Sequence, residues 1–176
     1  RGVLTMLELN GNDDELQRKL AALERAASDM RPAFEVIGRV LINRIRLCFK
    51  LGVDPWGTAW AALKIRKGQP LRDTGRLQRS ITPQISDTGL TIGTNLRSKS
   101  GARYPAVHQF GAVIEAKPGK RLAFAGPNGT VILAKKVTIP ARPFLPLRKD
   151  GVALPEGWER DVENALRRHL TNAMKA

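Results

Sequence analysis

The sequence predicts an α+β fold: N-terminal long helices packed on a small antiparallel sheet, a projecting β-hairpin and a C-terminal helix. Three observations predict it. Apolar residues recur at helical spacing through the first fifty positions. Short β-prone runs separated by Gly, Pro and Lys turns fill the middle. A last helical stripe then follows a run of spaced prolines. The 176 residues suit one domain, read as a helical part (1–53), a central part with a hairpin (54–112), an arm (113–139), and an extended segment with the closing helix (140–176).

Val3 to Leu9 alternates loosely, as a short strand would. Asn12, three residues before Glu15, resembles a capping box that opens a first helix. Leu16, Leu20, Leu23 and Ala27 lie along one stripe of that amphipathic helix. Pro32 opens a second helix where its missing N–H costs nothing. Phe34, Ile37, Leu41, Ile45 and Cys48, with Val40 and Phe49 beside them, carry a core-facing stripe to Gly52, while Arg39, Arg44, Arg46 and Lys50 take the other face. Cys48, the single cysteine, reads as a small core residue.

Asp54-Pro55-Trp56-Gly57 breaks the helix, and Trp56, Trp60 and Leu63 are apolar anchors in a loop expected to wrap back onto the core. Asp73 or Thr74 can cap a short helix over 75–80, with Leu77 and Ile81 inward. Alternation around Asp87-Thr88-Gly89 predicts a β-hairpin, and Pro83 places its strand at an edge because it has no N–H for a ladder. Tyr104 to Phe110 reads as one or two helical turns ended by Gly111. Four short β-prone runs between Val113 and Ile139, split by turns at 117–120 and 126–129, predict a projecting hairpin more than a central sheet. Pro140, Pro143 and Pro146 force an extended segment, and Trp158, Val162, Leu166 and Leu170 mark the last helix.

The chain carries 30 Lys+Arg against 16 Asp+Glu, a net charge of +14. Residues 51–150 hold 17 basic and 5 acidic side chains, so +12 of that excess sits in the middle of the chain. Such a field attracts phosphate or an acidic protein surface. With 42% hydrophobic and 26% charged residues the composition fits a packed soluble fold and neither a membrane protein nor a disordered tail. No apolar run approaches the roughly 20 residues of a membrane span, and the first residues do not read as an export signal. One cysteine and two histidines leave no disulfide and no zinc cluster.

Catalytic signatures are absent. No phosphate loop, dinucleotide-binding glycine pattern, nucleophile elbow or paired-His helix occurs. The few central carboxylates sit where caps and turns explain them. His108, near Tyr104 and Gln109, is the best acid–base candidate but lacks an evident nucleophile or orienting partner. Two basic stretches, with Lys64, Arg66 and Lys67 in the first and Arg97, Lys99 and Arg103 in the second, suit phosphate contacts without base reading. Aromatics do not interleave with them, which argues against a single-strand stacking platform.

Several segments, taken in order, carry a resemblance. Pro55-Trp56 is followed by Leu71-Arg72-Asp73-Thr74-Gly75-Arg76-Leu77-Gln78-Arg79-Ser80-Ile81, then Ile92-Gly93-Thr94-Asn95 and Tyr104-Pro105-Ala106-Val107-His108-Gln109-Phe110-Gly111. Leu122-Ala123-Phe124 and Ile139-Pro140-Ala141-Arg142-Pro143-Phe144-Leu145 complete the series. Over 54–147 the chain resembles the virion morphogenesis (tail completion) proteins of Mu-like phages, related to the neck and tail-completion proteins of other tailed phages; before residue 54 it matches only in being helical. Trp56, Gly75, Leu77, Ser80, Tyr104, His108, Phe110, Gly111, Pro140, Arg142, Pro143 and Phe144 are the motif positions, with structural or interface roles expected. Phe110 reads as an aromatic anchor, and Arg142 as able to grip a carboxylate through both arms of its guanidinium.

The resemblance implies a structural, non-enzymatic virion protein that completes the tail and helps form the head–tail junction. It implies a ring of copies around the DNA channel, sixfold as the resemblance suggests. Expected partners are the chain itself, tail tube or terminator proteins, connector proteins and the phage DNA in transit, with no membrane and no cofactor. The protein would reside in the virion tail or neck, and in host cytoplasm during assembly. Lys64, Arg66, Lys67, Arg97, Lys99, Arg103, Lys135 and Lys136 are the candidates to face DNA or a partner. A free-standing, non-specific basic DNA-binding protein is the alternative, and an enzyme using His108 a third reading.

Overall fold

The computed structural model describes residues 14–64, 67–98, 101–126 and 129–175. The expected strand at 3–9 and the cap at Asn12 lie outside them, as do Arg66 and Lys99. The fold is α+β. Helices α1 (Asp14–Ser28) and α2 (Arg31–Leu51) lead into a short helix α3 (Arg76–Arg79) and the hairpin β1 (Thr82–Ser86) and β2 (Gly89–Gly93). Helix α4 (Tyr104–Phe110) precedes strands β3 (Ala112–Glu115), β4 (Leu122–Ala125), β5 (Val131–Ala134) and β6 (Lys136–Ile139). A small hairpin, β7 (Leu147–Arg148) and β8 (Gly151–Val152), comes before the last helix α5 (Glu156–Ala173).

Helix α2 is the axis of the body. Pro32 stands in its first turn, and Gly52 ends it with φ +75, donating its N–H to Cys48 O at 2.8 Å. Its stripe buries Ile37, Leu41, Ile45, Cys48 and Phe49, as the spacing predicts. One side packs on the β1–β2 hairpin, the other on α5. At Gly38 the hairpin comes close, with Leu90 and Pro83 each 3.4 Å from where a Cβ would stand. Phe49 meets Trp60 edge to face at 5.3 Å and Phe144 at 5.7 Å, which draws the Trp loop and the Pro-rich segment onto the helix. Trp158 and Ala165 bring α5 into the same core. Arg44 crosses to Asp161 on α5 at 2.6 Å. Burial pushes the Cys48 thiol up to about 11, consistent with a core residue.

The structure departs from the sequence pattern in places. The α1 stripe stays largely exposed: Leu16 and Leu20 are 46% and 53% exposed and only Ala26 of that helix is buried, its main packing among the described elements being on α5. Helix α3 starts from Gly75 at φ +72 with no side-chain cap; Thr74 Oγ1 merely accepts from Arg76 N at 3.4 Å. The hairpin β7–β8 was invisible in a segment that its prolines mark as merely extended.

Each pair of strands forms a separate two-stranded antiparallel sheet. Strand β3 pairs with β6 from Ala112↔Ile139 to Glu115↔Lys136, and β4 with β5 from Leu122↔Ala134 to Ala125↔Val131. Together they make one long arm, its base the first ladder and its far half the second. The 117–120 turn interrupts one side, and Gly126 N donating to Thr130 O at 2.6 Å closes the tip.

Candidate functional site

The most built part of the molecule is the root of this arm, where α4 enters it and residues 140–147 leave it. Gln109 is only 3% exposed and uses all of its amide. Nε2 donates to Leu145 O at 3.0 Å and Leu147 O at 2.8 Å, while Oε1 accepts from Phe144 N at 3.0 Å and Leu145 N at 3.1 Å. A buried amide that satisfied fixes one geometry. Arg142 N donates to His108 O at 2.7 Å, a second tie between the same two segments.

Arg142 is itself buried. Its Nε donates to Ala61 O at 2.8 Å and Nη2 to Ala62 O at 3.2 Å, so the guanidinium grips backbone carbonyls of the Trp60 loop where a carboxylate was expected. Those carbonyls belong to an irregular segment with no ladder of its own, and a buried charge needs such acceptors. Trp60 Nε1 donates to Pro143 O at 2.8 Å and Phe144 is 1% exposed, so the arm's exit strand is bolted to the core. Pro140 and Pro143 are half-buried and hold that strand extended.

Gly111 sits where α4 turns into β3, at φ +71. A Cβ there would stand 2.9 Å from Ala141 N and 3.0 Å from Ile139 O, so both the dihedral and the space demand glycine. Phe110 beside it is 37% exposed and is not the buried anchor expected; Gln109, one residue earlier, faces inward instead. Sequence reasoning named Gln109 only as a neighbour of His108. A polar residue preceding Phe-Gly gives no sign of burial until its four partners are seen.

Tyr104 and His108 stack edge to face at 6.1 Å on one side of α4. With Leu63, Leu71, Asp73–Leu77 and Arg142 they line a cleft of about 410 Å³. Leu77 is buried, and Ser80 Oγ donates to Leu77 O and shares a hydrogen bond of 2.7 Å with Thr94 Oγ1, tying α3 to the end of β2. Trp56 is half-buried beneath the Arg148 guanidinium, 4.5 Å from its ring centroid.

The basic candidates divide. Lys64 and Lys67 are exposed on the loop after Trp60. Arg97 and Arg103 line one cleft of about 300 Å³ with Thr94–Leu96, and Arg97 Nη1 donates to Gly101 O at 3.2 Å. Lys136 pairs with Glu115 across the arm's base at 3.0 Å, both exposed. Lys135 lines a concavity of about 420 Å³ with Lys117, Lys120 and Arg121, of which the sequence offered the first two only as turn residues and Arg121 not at all. The ladder brings Lys135 opposite the 117–120 turn, and this assembly of four cations appears only in three dimensions. Val131 and Leu133 are 69% and 59% exposed on one face of the arm, and Val113 is 55% exposed nearer the root. Among the described residues no group of acids, His or Cys could hold a metal ion, and no helix is long and apolar enough to cross a membrane.

No solved structure matches the chain. A curated relative, the Mu-like prophage FluMu G protein 2 of Haemophilus influenzae, is 34% identical over 139 residues, spanning 79% of this chain and 81% of the relative. The sequence model of the phage virion morphogenesis family matches residues 11–171. That range takes in both N-terminal helices and the C-terminal one, a wider likeness than the 54–147 segments suggested. With most of its length matched by the family and by this relative, the chain belongs to the phage virion morphogenesis family.

Proposed function

We propose that the protein is a structural, non-catalytic component of the virion that completes the phage tail and helps form the head–tail junction as a ring around the DNA channel. The observation that carries this reading is the arm: two ladders with open edges, Val131 and Leu133 more than half exposed, and a root bolted to the core. An isolated subunit gains nothing from an apolar, edge-exposed ribbon, which is a template for pairing with another chain. A head-to-tail contact, arm to neighbouring sheet edge, closes into a ring if the rotation permits. The chain itself, sixfold, is the first partner, with tail tube or terminator and connector proteins on the ring's two faces and phage DNA passing through without base reading.

A double change of Val131 and Leu133 to Ser tests it. The purified variant keeps its melting temperature, because those side chains leave little water on folding, while particles assembled with it fail to join heads to tails. Normal particles from the variant, or a particle reconstruction with no density for this chain at the junction, refute the proposal. Tight, salt-sensitive duplex binding by the lone subunit would instead support a free-standing DNA-binding protein.

A further inference from the structure

The cleft between α4 and the 71–77 loop carries three features that the arm does not explain. His108 Nδ1 is buried and, among the described residues, has no hydrogen-bond partner. Leu71, on the opposite wall, holds φ +59, the left-handed region that a leucine rarely enters. Strained backbone gathers where a protein binds something, and the orphaned Nδ1 decides which ring nitrogen carries the donor. The cleft itself, about 410 Å³, lies within the range of ligand pockets, roughly 300–1,000 Å³.

The charges around His108 set its chemistry. Arg76 and Arg142 line the cleft as cations and Asp73 as the one anion, which leaves the walls positive. Burial, and then the Arg142 charge, lower the His108 pKa, so the ring is neutral. A neutral ring carries one lone pair and one N–H. A buried N–H without a partner is rarer than a buried acceptor without one, so the orphaned Nδ1 holds the lone pair and Nε2 the proton. The donor is then on the ring nitrogen other than the buried Nδ1, in a side chain that shares the cleft with Arg76 and with apolar surface from Leu63, Leu71, Leu77 and Tyr104.

We propose that this cleft seats an acidic side chain of a partner polypeptide, the carboxylate taking the His108 Nε2–H and the Arg76 guanidinium while flanking apolar residues of the partner lie on the leucines and Tyr104. Duplex DNA fits worse: its phosphates stand on a broad convex surface, and they gain nothing from the apolar walls. The inference rests on the cleft alone and stands whether or not the chain forms a ring.

Nitrogen NMR of the His108 ring in the purified chain tests it. The spectrum should show the Nε2–H tautomer. Adding the capped peptide acetyl-Leu-Glu-Leu-amide should shift that resonance to saturation and raise the titration midpoint of His108, since a carboxylate stabilises the imidazolium. Asp73, Arg76 and Arg142 are the charges that share the cleft with it, and their effect is present before and after the peptide. The glutamine counterpart of the peptide should bind roughly ten- to a hundredfold more weakly, the worth of one charge-assisted hydrogen bond. Arg76→Ala, an exposed position that leaves the core intact, should weaken the glutamate peptide several-fold, and His108→Phe, which keeps the ring on Tyr104, should reduce the preference for glutamate to the part that Arg76 supplies. An Nδ1–H tautomer, equal binding of the two peptides, no shift with either, or a larger shift with inorganic phosphate or a short DNA duplex than with peptide would overturn the proposal.

Discussion

Changing Gln109 to Ala should loosen the arm's root more than any other single side-chain truncation on α4. The amide makes four hydrogen bonds, and the Phe144 N–H it accepts from is buried. Each such bond contributes about 1 kcal/mol net, and a buried donor left unpaired costs about 1–3 kcal/mol. Water can reach the half-buried Leu145 and Leu147 carbonyls and recover part of the loss, so the expected destabilisation is about 3 kcal/mol. For a chain of this size that corresponds to a fall in melting temperature of about 6–12 °C. Circular dichroism gives the melt, and native-state hydrogen exchange locates it: the Phe144 and Leu145 amides should lose protection while amides in the centre of α2 do not. Gln109→Glu separates this account from simple loss of volume. It keeps the acceptor for Phe144 and Leu145 but turns a second oxygen toward the Leu145 and Leu147 carbonyls, so it should be at least as damaging at neutral pH and partly relieved when protonated. A shift below about 2 °C for Gln109→Ala, or unchanged exchange at Phe144, would refute the clamp.

Other expectations follow from the same geometry. Gly111→Ala meets backbone atoms at 2.9 and 3.0 Å with φ at +71, so it should cost more than about 2 kcal/mol and speed exchange in the β3–β6 ladder; a melt like the parent's would show that the root can shift aside. Phe49→Ala, removing the ring between Trp60 and Phe144, should destabilise by about 3–5 kcal/mol in denaturant titration. Cys48, 5% exposed with its thiol pushed up to about 11, should resist alkylation at neutral pH until the chain unfolds, so rapid labelling of native protein would contradict its burial. His108 has a folded pKa below its ordinary value, so the unfolded chain binds more protons as pH falls past about 6.5. Stability is intact above that pH and declines below it until the folded pKa is reached, a slope that His108→Phe should remove.

The parts of the fold that were legible in the sequence are those where local pattern and burial coincide. The α2 stripe is fully periodic, starts at a proline and ends at a glycine, and its residues pack as the period requires. Turns at Asp87-Thr88-Gly89 and the split β runs marked the two hairpins for the same reason. The α1 stripe has equal periodicity, yet Leu16 and Leu20 remain exposed, since periodicity says which face is apolar and nothing of whether a surface exists to cover it. Arg142 shows the opposite failure. Its extended Pro context was readable, but its partners lie eighty residues earlier, and a backbone carbonyl leaves no mark in a sequence. Gln109 escaped for that reason too.

The root explains why so much polar architecture stands beside an arm that touches little else. Strand β3 leaves from α4 and β6 returns into residues 140–147, so these two segments join the arm to the body along the chain. Two independent clamps join them to each other, the Gln109 amide and the His108 carbonyl, and two more join the exit strand to the core, Arg142 to Ala61 and Ala62, and Trp60 to Pro143. Hydrophobic packing resists separation but gives poorly defined angles, because it is non-directional. Hydrogen bonds to backbone carbonyls are directional and fix the angle at which the arm projects. A contact between subunits repeated around a ring accumulates any angular error at every step, so an arm used in that way needs its direction held by bonds of this kind. The same reasoning makes Gln109→Ala more harmful to assembly than an equal loss of stability taken from the core, as with a milder change at Ile42, buried on α2. Particle yield compared at matched stability would measure the difference, and equal yields would show that the root's hydrogen bonds serve folding alone.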